Sequence, residues 1–122
     1  MSGSGIERFA LAGQTRARAA TFNRMIVTVS TARASSTGVE AQSREVLRAL
    51  DTNLRASGSD KSRLLFVLVF LADIATKPEF NRAWDEWVDR LQPPVRACVG
   101  AQLENGDLVE CVAVAATCDD KN

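Results

Sequence analysis

The sequence contains no histidine and no tyrosine. Without histidine there is no Ser-His or Cys-His pair, no HExxH metalloprotease site, and little means of holding a transition metal. Cysteine is scarce and oddly counted: Cys98, Cys111 and Cys118 lack CxxC spacing, which suggests neither a disulfide framework nor a zinc cluster. No metal and no cofactor is therefore expected. Long apolar runs are missing too, since the longest, residues 64–72, is far too short to span a bilayer. Residues 1–5, MSGSG, have neither the charged start nor the apolar centre of a secretory leader, so a cytoplasmic protein without membrane contact is expected. Net charge is absent as well: fifteen basic residues cancel fifteen acidic ones, and no basic run or aromatic-basic interleaving marks a nucleic-acid surface.

What is present suits one ordinary domain spanning residues 1–122, with 46% hydrophobic residues for a core. Residues 6–11 look like a short strand. Residues 16–22 and 25–30 read as two more around Asn23-Arg24, with Arg16, Arg18, Ala20 and Phe22 alternating onto one face. After a small-residue loop at 32–36, Thr37 and Glu40 fit a capping box that opens a helix. Its apolar stripe is Val39, Val46, Leu47, Leu50 and Leu54, and Gly58 is a fitting stop. Residues 63–72, RLLFVLVFLA, form a continuous apolar run, as expected of a strand covered on both faces. Thr76 and Glu79 fit a second capping box, with Pro78 tolerated in the first turn. The helix stripe Phe80, Ala83, Trp84, Trp87, Val88 and Leu91 follows, closed by Pro93-Pro94.

The last element expected is a hairpin, with strands near 94–103 and 108–116 around Asn105-Gly106 and a polar TCDDKN tail. Two charges, Arg96 and Glu110, sit among Val, Ala, Cys and Leu, and burying a charge costs several kcal/mol unless it is paired or kept for a ligand. A two-residue loop would send them to opposite faces of the hairpin. A three-residue loop of Glu104, Asn105 and Gly106 would put them on one face with Cys98, roughly 13 Å apart along the strands, and this register is expected. The element order then gives an α+β domain: a mixed sheet with two helices packed on one face. The central strands stay apolar on the other face, whose natural cover is another copy of the chain, so a homo-oligomer is expected.

The segments KSRLLFVLVFLAD, FNRAWDEW, PPVRACV and LVECVAVAA resemble the Rid family, also called YjgF-like, and within it the YoaB-like branch. The resemblance implies a chorismate-mutase-like fold, a homotrimer with clefts between subunits, and hydrolysis of reactive 2-imino and enamine acids. It further implies that Arg96 grips the substrate carboxylate, that Cys98 lines the site, that Glu110 handles the hydrolytic water, and that Asn81 at the start of the second helix belongs to the cleft. Where the family carries a tyrosine and a serine, this chain has Arg16 and Val29, with Ser30 at a usual glycine position. Arg16 at that place could bind a second anionic group.

The chemistry fits the residue types. A protonated imine is already electrophilic, so its hydrolysis needs a cation to fix the carboxylate and a group to orient and deprotonate water. Arg96 and Glu110 supply both. The leading expectation is an imine deaminase acting on small imino acids, with catalytic residues Arg96 and Glu110 and substrate contacts from Arg96, Cys98, Asn81 and Arg16. The rival is a non-catalytic module holding an imino or keto carboxylate through Arg96. A ribonuclease or translation inhibitor is the third reading, and the neutral charge balance speaks against it.

Overall fold

A computed structural model describes residues 5–13, 15–32 and 38–118. Strands β1 (Glu7–Ala12), β2 (Arg16–Phe22) and β3 (Met25–Thr31) form an antiparallel meander. Between β2 and β3, Asn23 and Arg24 both adopt positive φ, 51° and 66°, as a two-residue hairpin turn requires. Helix α1 (Val39–Ala56) leads to β4 (Leu64–Leu71), helix α2 (Lys77–Trp87), β5 (Val95–Gly100) and β6 (Val109–Ala116). The six strands make one sheet in the order β1-β2-β3-β6-β4-β5, with β5 parallel to β4 and every other pairing antiparallel.

Both helices pack on one face, as the apolar stripes predict. Val46, Leu47, Leu50 and Leu54 of α1 and Phe80, Ala83 and Trp84 of α2 are buried with Val67, Val69, Leu71, Val109, Cys111, Ala113 and Ala115 of the sheet. Each large aliphatic side chain taken from water there contributes about 1.5–3 kcal/mol. The other face carries no helix. Its apolar residues alternate with the buried set, and Val27 and Val95 are 51% and 69% exposed.

The expected β5–β6 hairpin does not form. Instead both strands pair with β4, one on each edge, and β6 is inserted between β3 and β4. The reason lies in β4: it is apolar throughout and offers two unpaired backbone edges, which two neighbours satisfy and a separate hairpin would leave open. The turn signal at Asn105-Gly106 was nevertheless sound. Both residues have positive φ, 60° and 72°, and the Asp107 amide donates to the Glu104 carbonyl at 3.0 Å, which is a two-residue turn and not the expected three-residue loop. It bends a crossover connection instead of joining paired strands.

Local corrections follow similar logic. Thr37, with most of the 32–36 loop, lies outside the described residues, and so does most of the TCDDKN tail. Gly38 is the N-cap of α1 with no side-chain cap, and the Glu40 carboxylate binds Arg44 and Arg82 instead. Thr76 does not cap α2 either; its hydroxyl donates to the Asp73 carbonyl. Helix α2 stops at Trp87, so Leu91 falls beyond it and is 88% exposed rather than part of the stripe. Gly58 does end α1: with φ +85° it lets the Ser59 amide donate to Leu54 and its own amide to Arg55.

Candidate functional site

Arg96 lies on β5 beside Val67, whose side chain is fully buried beneath the helices, so the guanidinium points to the helix side. There its Nη1 donates to the Asn81 Oδ1 at 3.0 Å, and its carbon lies 5.5 Å and 5.2 Å from the ring centres of Phe80 and Trp84. One edge of the fork is thus tied and its flat face shelved against aromatics. Asn81 sits in the first turns of α2 because Lys77, Pro78 and Glu79 start the helix just before it. Among the described residues Arg96 has no carboxylate partner. Cys98, next but one along β5, stays a thiol: burial raises its pKa, while Arg96 and Lys77 pull the other way less strongly. That suits a cavity wall better than a nucleophile. Cys111, sealed in the core, is pushed up to about 12 by the same cause.

Glu110 lies elsewhere. Its strand neighbours are Thr31 and Phe70, on the face without helices, opposite to Arg96. It lines a cleft of about 390 Å³ together with Arg16, Arg18, Val29, Thr31, Glu104, Asn105 and Asp107. Burial, then the nearby charges of Asp107 and Glu104, raise the Glu110 pKa above the ordinary carboxylate value. Asp107 is raised for the same two reasons, burial first and Glu104 second. Arg16 and Arg18 stand on the opposite wall, about 10 Å from Glu110 across two strand spacings. Among the described residues no His, Cys, Asp and Glu side chains gather into a metal-holding group.

The expected site residues therefore fall into two separate groups. Arg96, Asn81 and Cys98 come together at the α2–β5 edge, and Arg16 and Glu110 come together on the other face. The same-face arrangement of Arg96, Cys98 and Glu110 expected from the hairpin is corrected by the two-sided pairing of β4. The sequence reading also passed over Phe80 and Trp84 as the shelf under Arg96. Their spacing around Asn81 at i−1 and i+3 carried that signal, but an apolar stripe alone does not tell a core residue from a ligand's support. Glu104 and Asp107, read only as turn residues, line the Glu110 cleft.

Comparison with known proteins agrees with this architecture. The family model described as Endoribonuclease L-PSP matches residues 10–117. A RutC family protein from Haemophilus influenzae is 43% identical over 77 residues, which is 63% of this chain and 66% of that protein. The RutC family protein YoaB from Escherichia coli is 41% identical over 76 residues, 62% of this chain and 67% of that one. The match thus spans just under two thirds of the Haemophilus relative's own length. A crystal structure of a YjgF family member from Neisseria meningitidis superposes with a TM-score of 0.89 at 29% identity, covering 94% of this chain and 97% of the other. The shared sheet order, the two-helix layer and the match over residues 10–117 lead to one conclusion: the chain belongs to the endoribonuclease L-PSP family, the YjgF or Rid group, in its YoaB-like branch.

Proposed function

We propose that the protein is a small hydrolase of the imine deaminase type, working in clefts shared between the subunits of a homotrimer. The observation that carries this is the state of Arg96: a half-buried guanidinium, tied by Asn81 and shelved by Phe80 and Trp84, with no carboxylate of its own among the described residues. Such a group is preorganised to take a ligand carboxylate. Because Glu110 faces away from it, the second half of the cleft comes from another copy. The helix-free face, apolar and uncovered, is where that copy sits.

In the shared cleft, Arg96 holds the substrate carboxylate and Cys98 lines the wall. Glu110, with its raised pKa, orients a water and accepts its proton as oxygen bonds to the imine carbon. Proton return to nitrogen then breaks the C–N bond, so that R–C(=NH2+)–COO− and H2O give R–CO–COO− and NH4+. The alternative, a carboxylate-binding module without turnover, draws support from Val29, which brings no hydroxyl to the cleft.

The test is ammonia release from 2-iminopropanoate generated in situ. The intact protein is expected to accelerate it, with Arg96→Ala slower by about 10²-fold or more and Glu110→Gln by about 10²–10⁴-fold. Arg96→Ala and Glu110→Gln subunits, unfolded and refolded together in equal amounts, should recover roughly a quarter of the intact activity, since random assortment pairs an intact Arg96 with an intact Glu110 at one cleft in four. No recovery would sink the shared cleft. Tight binding of pyruvate with no turnover would favour the binding module.

A further inference from the structure

The cleft around Glu110 is lined by five charged residues, and none of them is ion-paired among the described residues. Arg16 and Arg18 stand on one wall; Glu104, Asp107 and Glu110 occupy the other. The salt bridges among the described residues all lie elsewhere, joining Glu40 to Arg44 and Arg82 and Arg44 to Glu86. Arg16 has one hydrogen bond, from its Nη1 to the neighbouring Thr15 hydroxyl at 3.2 Å, and the half-buried Arg18 guanidinium has none among the described residues. The backbone of Arg18 is tied to β3, its carbonyl accepting from the Thr28 hydroxyl at 2.6 Å, while its side chain is left to the cleft. Two cations and three anions that line one cleft without pairing among the described residues suit a ligand with separated poles.

We propose that the preferred substrates are 2-imino dicarboxylates, with the distal carboxylate held by Arg16 and Arg18. This rests on the imine-deaminase reading and adds the substrate class to it. A 2-imino dicarboxylate has three poles. Its first carboxylate meets Arg96 of the adjoining subunit, its protonated imine faces the acidic wall of Glu104, Asp107 and Glu110, and its second carboxylate meets the two arginines. A monocarboxylate such as 2-iminopropanoate fills only the first two positions and leaves Arg16 and Arg18 without an anion. The reaction is unchanged: water adds, ammonium leaves, and a 2-keto dicarboxylate results. Its supply requires a reaction that oxidises the amino group of an acidic amino acid to an imine.

The experiment uses the full chain and two readouts. Turnover of 2-iminoglutarate and 2-iminopropanoate, generated in situ from glutamate and alanine by amino-acid oxidases, gives a selectivity ratio. Calorimetric binding of the stable keto acids 2-oxoglutarate and pyruvate gives the same ratio without chemistry. The intact protein is expected to favour the dicarboxylate in both by about 10-fold or more, as a charge-assisted contact implies. Arg16→Gln and Arg18→Gln should each shrink that preference, and together abolish it. Oligomer size by light scattering controls for assembly. If binding favours 2-oxoglutarate but nothing turns over, the deaminase reading fails and the dicarboxylate site stands. If both variants only weaken assembly, leaving the ratios intact, the arginines pair between subunits and the proposal is overturned. Equal binding of pyruvate and 2-oxoglutarate overturns it as well.

Discussion

Glu110 shows how one residue can weaken the fold while serving a site. Its carboxyl is pushed above the ordinary value near 4.5 by burial and by the charges of Asp107 and Glu104. The folded protein thus holds this proton more tightly than the unfolded chain does. From about pH 4.5 up through the raised value the native state binds more protons, so stability falls as pH rises, and the cost is fully present above that window. Glu110→Gln, which removes the ionisation and keeps the shape, is expected to be more resistant to urea than the intact protein at pH 7 and no more resistant at pH 4. An equal midpoint at pH 7 would contradict the desolvated carboxylate. The residue scale was also where the sequence spoke most clearly. Arg96 and Cys98 lie on one face of β5, with Asn81 of α2 bonded to Arg96. The charge in an apolar strand is visible without coordinates, whereas Asn81 is reached only through the family resemblance. Arg18, Glu104 and Asp107 were not legible as cleft residues, since on paper they sit on an alternating strand and in a turn, and only sheet pairing brings them to one face.

At the scale of elements, helix ends were less legible than helix faces. The apolar faces of α1, and of α2 as far as Trp87, were legible because a face is set by many residues at once, whereas Val88 and Leu91 of the expected stripe lie beyond the end of α2. A cap depends on one side chain with competing partners: Glu40 found Arg44 and Arg82, and Thr76 found the Asp73 carbonyl. Gly58 is the exception, since its φ of +85° admits few other residues. A methyl group there would meet nothing within 4 Å, so the cost of Gly58→Ala is conformational alone. It should lower stability by about 1 kcal/mol, seen as an earlier urea midpoint with an unchanged slope. A midpoint unchanged within error would mean that the end of α1 relaxes into another stop. The hairpin was the element read wrongly. Its turn chemistry was right, but local signals cannot show that β4 has two edges to fill.

At the scale of the molecule, the proposed trimer rests on the helix-free face. Val27, 51% exposed, stands on β3 beside Val114 of β6 on that face. Burial of such a face between copies is the expected source of assembly. Val27→Asp should therefore shift the mass measured by light scattering from a trimer toward a monomer. It should also remove turnover, because each monomer would keep only half a cleft. A monomeric but fully active variant would contradict the shared site.

The place of β6 in the sheet bears on how the protein is made. It is the last strand in sequence among the described residues, yet it lies in the interior of the sheet, between β3 and β4. While a ribosome is still translating the residues before Val109, the meander and the β4–β5 pair have no strand to join them, and both expose bare edges. The sheet can close only once β6, Val109–Ala116, has been synthesised, so its assembly follows that of the other strands and is set by long-range pairing. A chain cut short before β6 would be one polypeptide carrying two unjoined, aggregation-prone pieces of sheet, not a smaller version of the same protein.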